Sequence, residues 1–138
     1  MLETEDPKQS VCLCPVEVTL AVIGGKYKPL LLYYLQQDGI LRFGQLRRIV
    51  KNASKKMLTQ QLRELERDGL VRRKVYQQVP PKVEYSLTQR GHSLESVLTA
   101  MGLWGKRNAK AYNIKIAPKP EPLNSPKARS KWKIAHRK

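Results

Sequence analysis

Side chains able to do covalent chemistry are few in this chain. Cys12 and Cys14 stand two positions apart, and the two histidines, His92 and His136, lie far from them. Two thiols at that spacing cannot by themselves form a zinc site or a disulfide framework. No Ser-His-Asp set, paired carboxylates, phosphate-cradling glycine loop or metal constellation accompanies them. Cys14 and His92 as nucleophile and base would be the one pairing to imagine, and their spacing lends it nothing. The expectation is a protein that is not an enzyme and takes no cofactor or metal. What the chain does carry is positive charge: 27 Lys/Arg against 11 acids in 138 residues, formally +16. A sequence pI near 10.2 points to a polyanionic partner, nucleic acid first, although anionic membranes and acidic proteins also attract cations.

Polar groups suited to reading a nucleic acid are densest between residues 54 and 67. Lys55, Lys56, Thr59, Gln60, Arg63 and Arg67 fall on one side of a helix whose other side carries Leu58, Leu62 and Leu65. Ser54 is a good N-cap for that helix, and Gly69 suits its C-terminal end. Arg and Lys can bond guanine edges and Gln can bond adenine in a major groove that admits one helix. Glu64 and Glu66 weigh toward a merely solvated face, since acids facing phosphates repel. A shorter helix precedes it, with Phe43, Leu46, Ile49 and Val50 as its apolar face, and Lys51, Asn52 and Ala53 form the turn between them. Two helices in this order describe a helix-turn-helix. Arg72, Arg73, Lys74 and Lys82 follow, on two strands expected at Val71–Gln77 and Lys82–Leu87 around Val79-Pro80-Pro81. Val83, Tyr85 and Leu87 alternate there as a half-buried strand should. A basic hairpin in that position is a wing whose cations can reach phosphates.

Other elements must hold this unit in place. Cys14-Pro15 opens a first helix with Val16, Leu20 and Ile23 as its apolar stripe, core packing being its default role, and Gly24-Gly25 stops it. A second helix from about Tyr27 to Gln37 is apolar on all sides from Leu30 through Leu35 and should be central and buried. Ile40-Leu41-Arg42 fits a short strand or an extended linker. A last helix is expected from Thr88 to about Ala109, with Leu94, Val97, Leu98, Met101, Leu103 and Trp104 as a broad apolar face. A core this small is already filled by the earlier helices, so the surplus face calls for a second copy of the chain. Leu94, Leu98, Met101 and Trp104 are the expected dimer contacts.

The fold class expected is mainly α with a small β-hairpin, a winged helix-turn-helix with dimerising terminal helices. Residues 1–13 form an N-terminal arm and 14–112 the folded domain. Residues 113–138, with eight Lys/Arg, one acid and four prolines, form a basic and disordered tail. The longest apolar run, Leu30 to Leu35, is far short of the roughly 18 residues of a membrane span. The opening MLETEDPKQS is acidic and polar, unlike a secretory signal. A reducing cytoplasm with free thiols is the expected setting.

Four stretches then carry a resemblance: CPVEVTLAVIGGKYKPLLLYYL, FGQLRRIV, SKKMLTQQLRELERDGLVRRKVYQQVPPKVEYSLTQRGHSL and LWGKRN. Together they resemble the HxlR-type winged helix-turn-helix regulators of bacteria, in the wider MarR-like group, over about Cys14 to Asn108. Departures are Tyr27, where that family usually has tryptophan, and Val50-Lys51, where it has an Ile-Pro or similar turn. The resemblance implies a homodimer built from the terminal helices that binds a pseudo-palindromic double-stranded DNA operator and represses or activates. It also implies a sensing cysteine at Cys14, answering a small electrophile or oxidant. A thiol at a helix N-terminus meets unpaired N–H groups and the positive end of the dipole, which favour thiolate. A structural Cys14 is the competing reading, and Cys12 is either a resolving partner or incidental. A basic RNA- or ribosome-associated winged-helix protein is the alternative to DNA regulation.

Overall fold

Pro15 and Pro29 each sit in the first turn of a helix, where the N–H that proline lacks would have no partner. They open α1 (Pro15–Ile23) and α2 (Lys28–Asp38). The remaining elements of the computed structural model, which describes residue 11 and residues 14–118, follow in sequence. They are β1 (Leu41–Arg42), α3 (Phe43–Ile49), α4 (Lys55–Arg67), β2 (Val71–Tyr76), β3 (Lys82–Leu87), α5 (Gln89–His92) and α6 (Glu95–Asn108), then a 3-10 turn at Ala109–Tyr112.

Leu31, Leu32 and Leu35 are at most 1 % exposed, and α2 packs against α3, α4, α6 and β3. The expected central helix is therefore present, though not buried all round. Leu30 is exposed and Tyr33 and Tyr34 are half-buried, because neighbours cover only part of its circumference. Leu58, Leu62 and Leu65 close the core from α4, Leu46 from α3, Leu41 from β1 and Tyr85 from β3. The turn from α4 to β2 uses Gly69 at φ +74°, a left-handed conformation that a side chain would strain. The first strand of the expected hairpin is one residue shorter than foreseen, ending at Tyr76, and the hairpin is part of a three-stranded antiparallel sheet. Its order is β1-β3-β2, with Leu41 opposite Tyr85 and Val71 opposite Leu87.

Three expectations need correction. The stripe on α1 is not core: only Ile23 is buried, while Val16 and Leu20 are more than half exposed, because no other described element of the chain comes over them. The single last helix is two. Thr88 caps α5 by accepting from the Gly91 N–H, and its own N–H donates to the Leu70 carbonyl. This ties α5 to the end of α4. The Ser93 N–H and hydroxyl both turn back to the Arg90 carbonyl, and Leu94, at φ −85° and ψ 0°, breaks the helix before α6 begins. Finally, Leu98 is 2 % exposed and Leu94 is half-buried against the core. Those two expected dimer contacts thus close this chain's own core, on the side where α6 meets α2. Met101 and Trp104 remain open, with Val97 and Leu103 beside them.

Gly91 shows how closely α5 is docked. A Cβ there would fall inside the contact shell of the Leu70 carbonyl and press on Leu87. Gly91→Ala is expected to cost about 1–3 kcal/mol, as overpacking does. Gly44→Ala, inside α3 with open space around it, should gain about 0.5–1 kcal/mol. Thermal unfolding of the two variants checks both signs.

Candidate nucleic-acid interface

Burial of Leu58, Leu62 and Leu65 sets the rotation of α4, and with it everything on the opposite side. Lys55, Lys56, Thr59, Gln60, Arg63, Glu64 and Arg67 line one open depression along the helix. All but Glu64 are residues expected there. Ser54, the remaining expected residue, accepts a hydrogen bond from the Met57 N–H at 3.1 Å and caps the helix. The Thr59 hydroxyl donates to the Lys55 carbonyl at 2.8 Å, so that group offers its oxygen outward as an acceptor. Arg67 lies 3.6 Å from Asp68 with its side chain 71 % exposed, leaving it reachable by a phosphate.

Glu64 belongs to this face, and its charge is compensated from below. Lys28, in the first turn of α2 and only 7 % exposed, places its ammonium 2.7 Å from the Glu64 carboxylate. Gln60 donates to the other carboxylate oxygen at 3.5 Å. The Lys28 hydrogen bond holds the Glu64 carboxyl below the ordinary carboxylate range, outweighing partial desolvation. The repulsion toward phosphates expected from this acid is correspondingly reduced. Sequence reasoning did not find Lys28 as a site residue. Its one signal is a lysine at the head of an apolar, central helix, which is costly unless paired.

The wing's cations divide into two sets. Arg72 and Arg73 are exposed on β2. Lys74 and Lys82 instead lie over the ring of Tyr76, 4.8 and 4.7 Å from its centre. Lys82 also bonds Glu84 at 3.1 Å with its side chain only 25 % exposed, so the expected phosphate contact at Lys82 is already engaged within the sheet. The Tyr76 hydroxyl donates to Glu84 at 3.0 Å, and Arg42 stands opposite Glu84 in the register. The Lys82 hydrogen bond, with the Tyr76 hydroxyl as a further donor, keeps the Glu84 carboxyl below its usual range. Strand alternation alone puts Lys74, Tyr76, Lys82 and Glu84 on one face once the register is known.

Cys14 is exposed at the N-terminal end of α1, and His92 is exposed on α5. Cys12, most of the N-terminal arm and the chain beyond Pro118 lie outside the described residues. Among the described residues no cluster of His, Cys, Asp or Glu could hold a metal ion. No helix there is long and apolar enough to cross a membrane.

A carboxyl whose folded-state pKa is lowered adds stability above its unfolded value, about 4.3. That stability is lost as pH falls through the folded value. Acid unfolding followed from about pH 6 to about pH 3 is expected to be less steep in Glu64→Gln and in Glu84→Gln than in the parent chain. Parallel curves would contradict the two pairings.

Residues 22–113 match the family model for the HxlR-like helix-turn-helix. Two helix-turn-helix-type transcriptional regulators of Bacillus subtilis are similar. YdeP is 56 % identical over 94 residues, covering 68 % of this chain and 73 % of that protein. YybR is 57 % identical over 95 residues, covering 69 % and 75 %. Among solved structures, the reduced form of the redox regulator HypR superposes with a TM-score of 0.69 at 53 % identity, over 72 % of this chain and 98 % of that one. The diamide-treated form of YodB from B. subtilis gives 0.57 at 33 % identity, over 70 % and 96 %. With the helix-turn-helix, the wing and this match together, the chain belongs to the HxlR-like family of winged-helix transcriptional regulators, which are DNA-binding proteins and not enzymes.

Proposed function

We propose that the chain acts as a homodimeric, sequence-specific repressor that presents two α4 helices to successive major grooves of a pseudo-palindromic operator. The observation that carries this reading is the α4 face, where lysines, arginines, a hydroxyl and an amide share one open surface. Phosphates would be met by Arg72, Arg73 and the lysines at the start of α4, and base edges by Gln60 and Arg63. Dimerisation is supported by apolar groups left uncovered at both ends of the domain: Val16, Val18 and Leu20 on α1, and Val97, Met101, Leu103 and Trp104 on α6. Residues 14–112 would form the working domain, with the basic tail after it adding non-specific affinity. A cytoplasmic setting suits this role.

Cys14 is the proposed sensor. Its thiol is exposed at the start of a helix whose apolar residues are uncovered, which supports a place beside the subunit contact. HypR, a similar protein, is described as a redox regulator with oxidized and reduced forms. Diamide would take two electrons and two protons from a pair of thiols on the two subunits, leaving a disulfide and a hydrazine. A small tilt between subunits then spoils the spacing of about one DNA turn that paired recognition helices need.

Selection of genomic fragments on the reduced protein, with structured RNA as competitor, tests the reading. Gln60→Ala and Arg63→Ala should each cost about 1–3 kcal/mol on the selected site. Arg73→Ala should weaken all duplexes about equally. Preference for the RNA would favour the alternative of an RNA-associated protein. Sedimentation at micromolar concentration should give twice the chain mass, and Met101→Glu with Trp104→Glu should give monomer. Diamide should lower operator affinity in the parent chain and leave Cys14→Ser unaffected. An equal response in Cys14→Ser would make that cysteine structural.

A further inference from the structure

Lys28 is an unusual occupant of its position. It lies in the first turn of α2, at the positive end of the helix dipole, and is 7 % exposed; both features disfavour a cation. An apolar side chain would serve the core better. The compensation is the 2.7 Å contact to Glu64, which reaches from the central helix to the polar face of α4, three residues before that helix ends. Glu64 in turn lies four residues, one helical turn, from Gln60 and accepts from its amide at 3.5 Å.

An ionised carboxylate can only accept hydrogen bonds. Whatever side of Gln60 faces Glu64 must therefore be the NH2, and the carbonyl oxygen must face away. The Lys28 contact holds the Glu64 carboxylate in place. Building on the reading of α4 as the recognition helix, we propose that Lys28 and Glu64 are positioning residues that fix the orientation of the Gln60 amide. The amide then presents outward one acceptor and its second N–H, the pair that matches the N6 donor and N7 acceptor of adenine. Base preference at one operator position is thus set from beneath α4, by a residue that never touches DNA.

The isosteric Glu64→Gln variant separates this from a structural role. Lys28 can still donate to the new side chain's carbonyl oxygen. The new NH2 then faces Gln60, which must turn its own oxygen inward and its NH2 outward. The full chain and its variants are used in selection from a randomised duplex library, with salt dependence and thermal unfolding measured alongside. The position read by Gln60 is the one whose preference Gln60→Ala abolishes. Adenine preference there is expected to fall at least about fivefold in Glu64→Gln, with a shift toward guanine, whose major-groove edge offers two acceptors. Other positions and the salt slope should hold. Lys28→Met should weaken the same preference without a shift toward guanine, and decides the matter if Glu64→Gln does not fold. An unchanged preference, or a uniform loss over all sequences, overturns the proposal. A parent chain that selects no sequence overturns the recognition-helix reading itself.

Discussion

Leu31, Leu32 and Leu35 must leave water together, and they do so on a helix of only 11 residues. Removing three leucine side chains from solvent contributes several kcal/mol, at about 1.5–3 kcal/mol each. A helix this short is not stable alone and owes its order to packing. The helix that carries these leucines therefore becomes the post around which α3, α4, α6 and β3 are arranged. Because α4 meets this core through Leu58, Leu62 and Leu65, its rotation follows from the burial, and its polar side turns outward as one surface. The polar face proposed to meet DNA is in this sense a by-product of where the leucines go.

Charge is distributed by the same logic. A chain with so large a positive excess has few acids, and two of them are placed against lysines that would otherwise be poorly solvated. Glu64 receives Lys28 beneath α4, and Glu84 receives Lys82 on the wing. Tyr76, with two lysines over its ring, holds the wing's polar face together. Exposed surface pairs contribute little to stability, so the value of the Glu84 cluster lies more in ordering side chains than in holding the fold. The arginines at 72 and 73 are left exposed on β2.

The two ends of the domain have the opposite character. On α1 and α6 apolar side chains face outward, Trp104 rests against Tyr112 at 6.0 Å between ring centres, and the chain continues to Ile116 and Ala117 beside a cleft between α2 and α6. In the proposed dimer, such surfaces would let one set of residues complete the subunit contact and fix the distance between the two α4 helices. The break at Ser93 and Leu94 matters here, because it lets α5 stay clamped to the end of α4 while α6 follows its own direction.

Local pattern carried much of this fold. Proline in first turns, the Ser54 cap, the leucine repeat of α4 and the glycine after it are each decided within a few residues. The helix-turn-helix, the wing and the identity of the polar α4 face are therefore legible in the amino-acid sequence alone, and the family resemblance rests on the same stretches. Partnerships between distant residues are not legible there. Nothing near Lys28 announces Glu64, because that contact depends on packing, and nothing near Lys82 places the Tyr76 ring under its ammonium, because that depends on the β2–β3 register. Glu84, two residues along the same strand, is the one partner that alternation alone puts beside Lys82. The apolar spacing of residues 94–104 could not say that Leu98 points to this chain's core while Met101 and Trp104 do not. That choice depends on which side of α6 meets α2, and only the tertiary arrangement decides it.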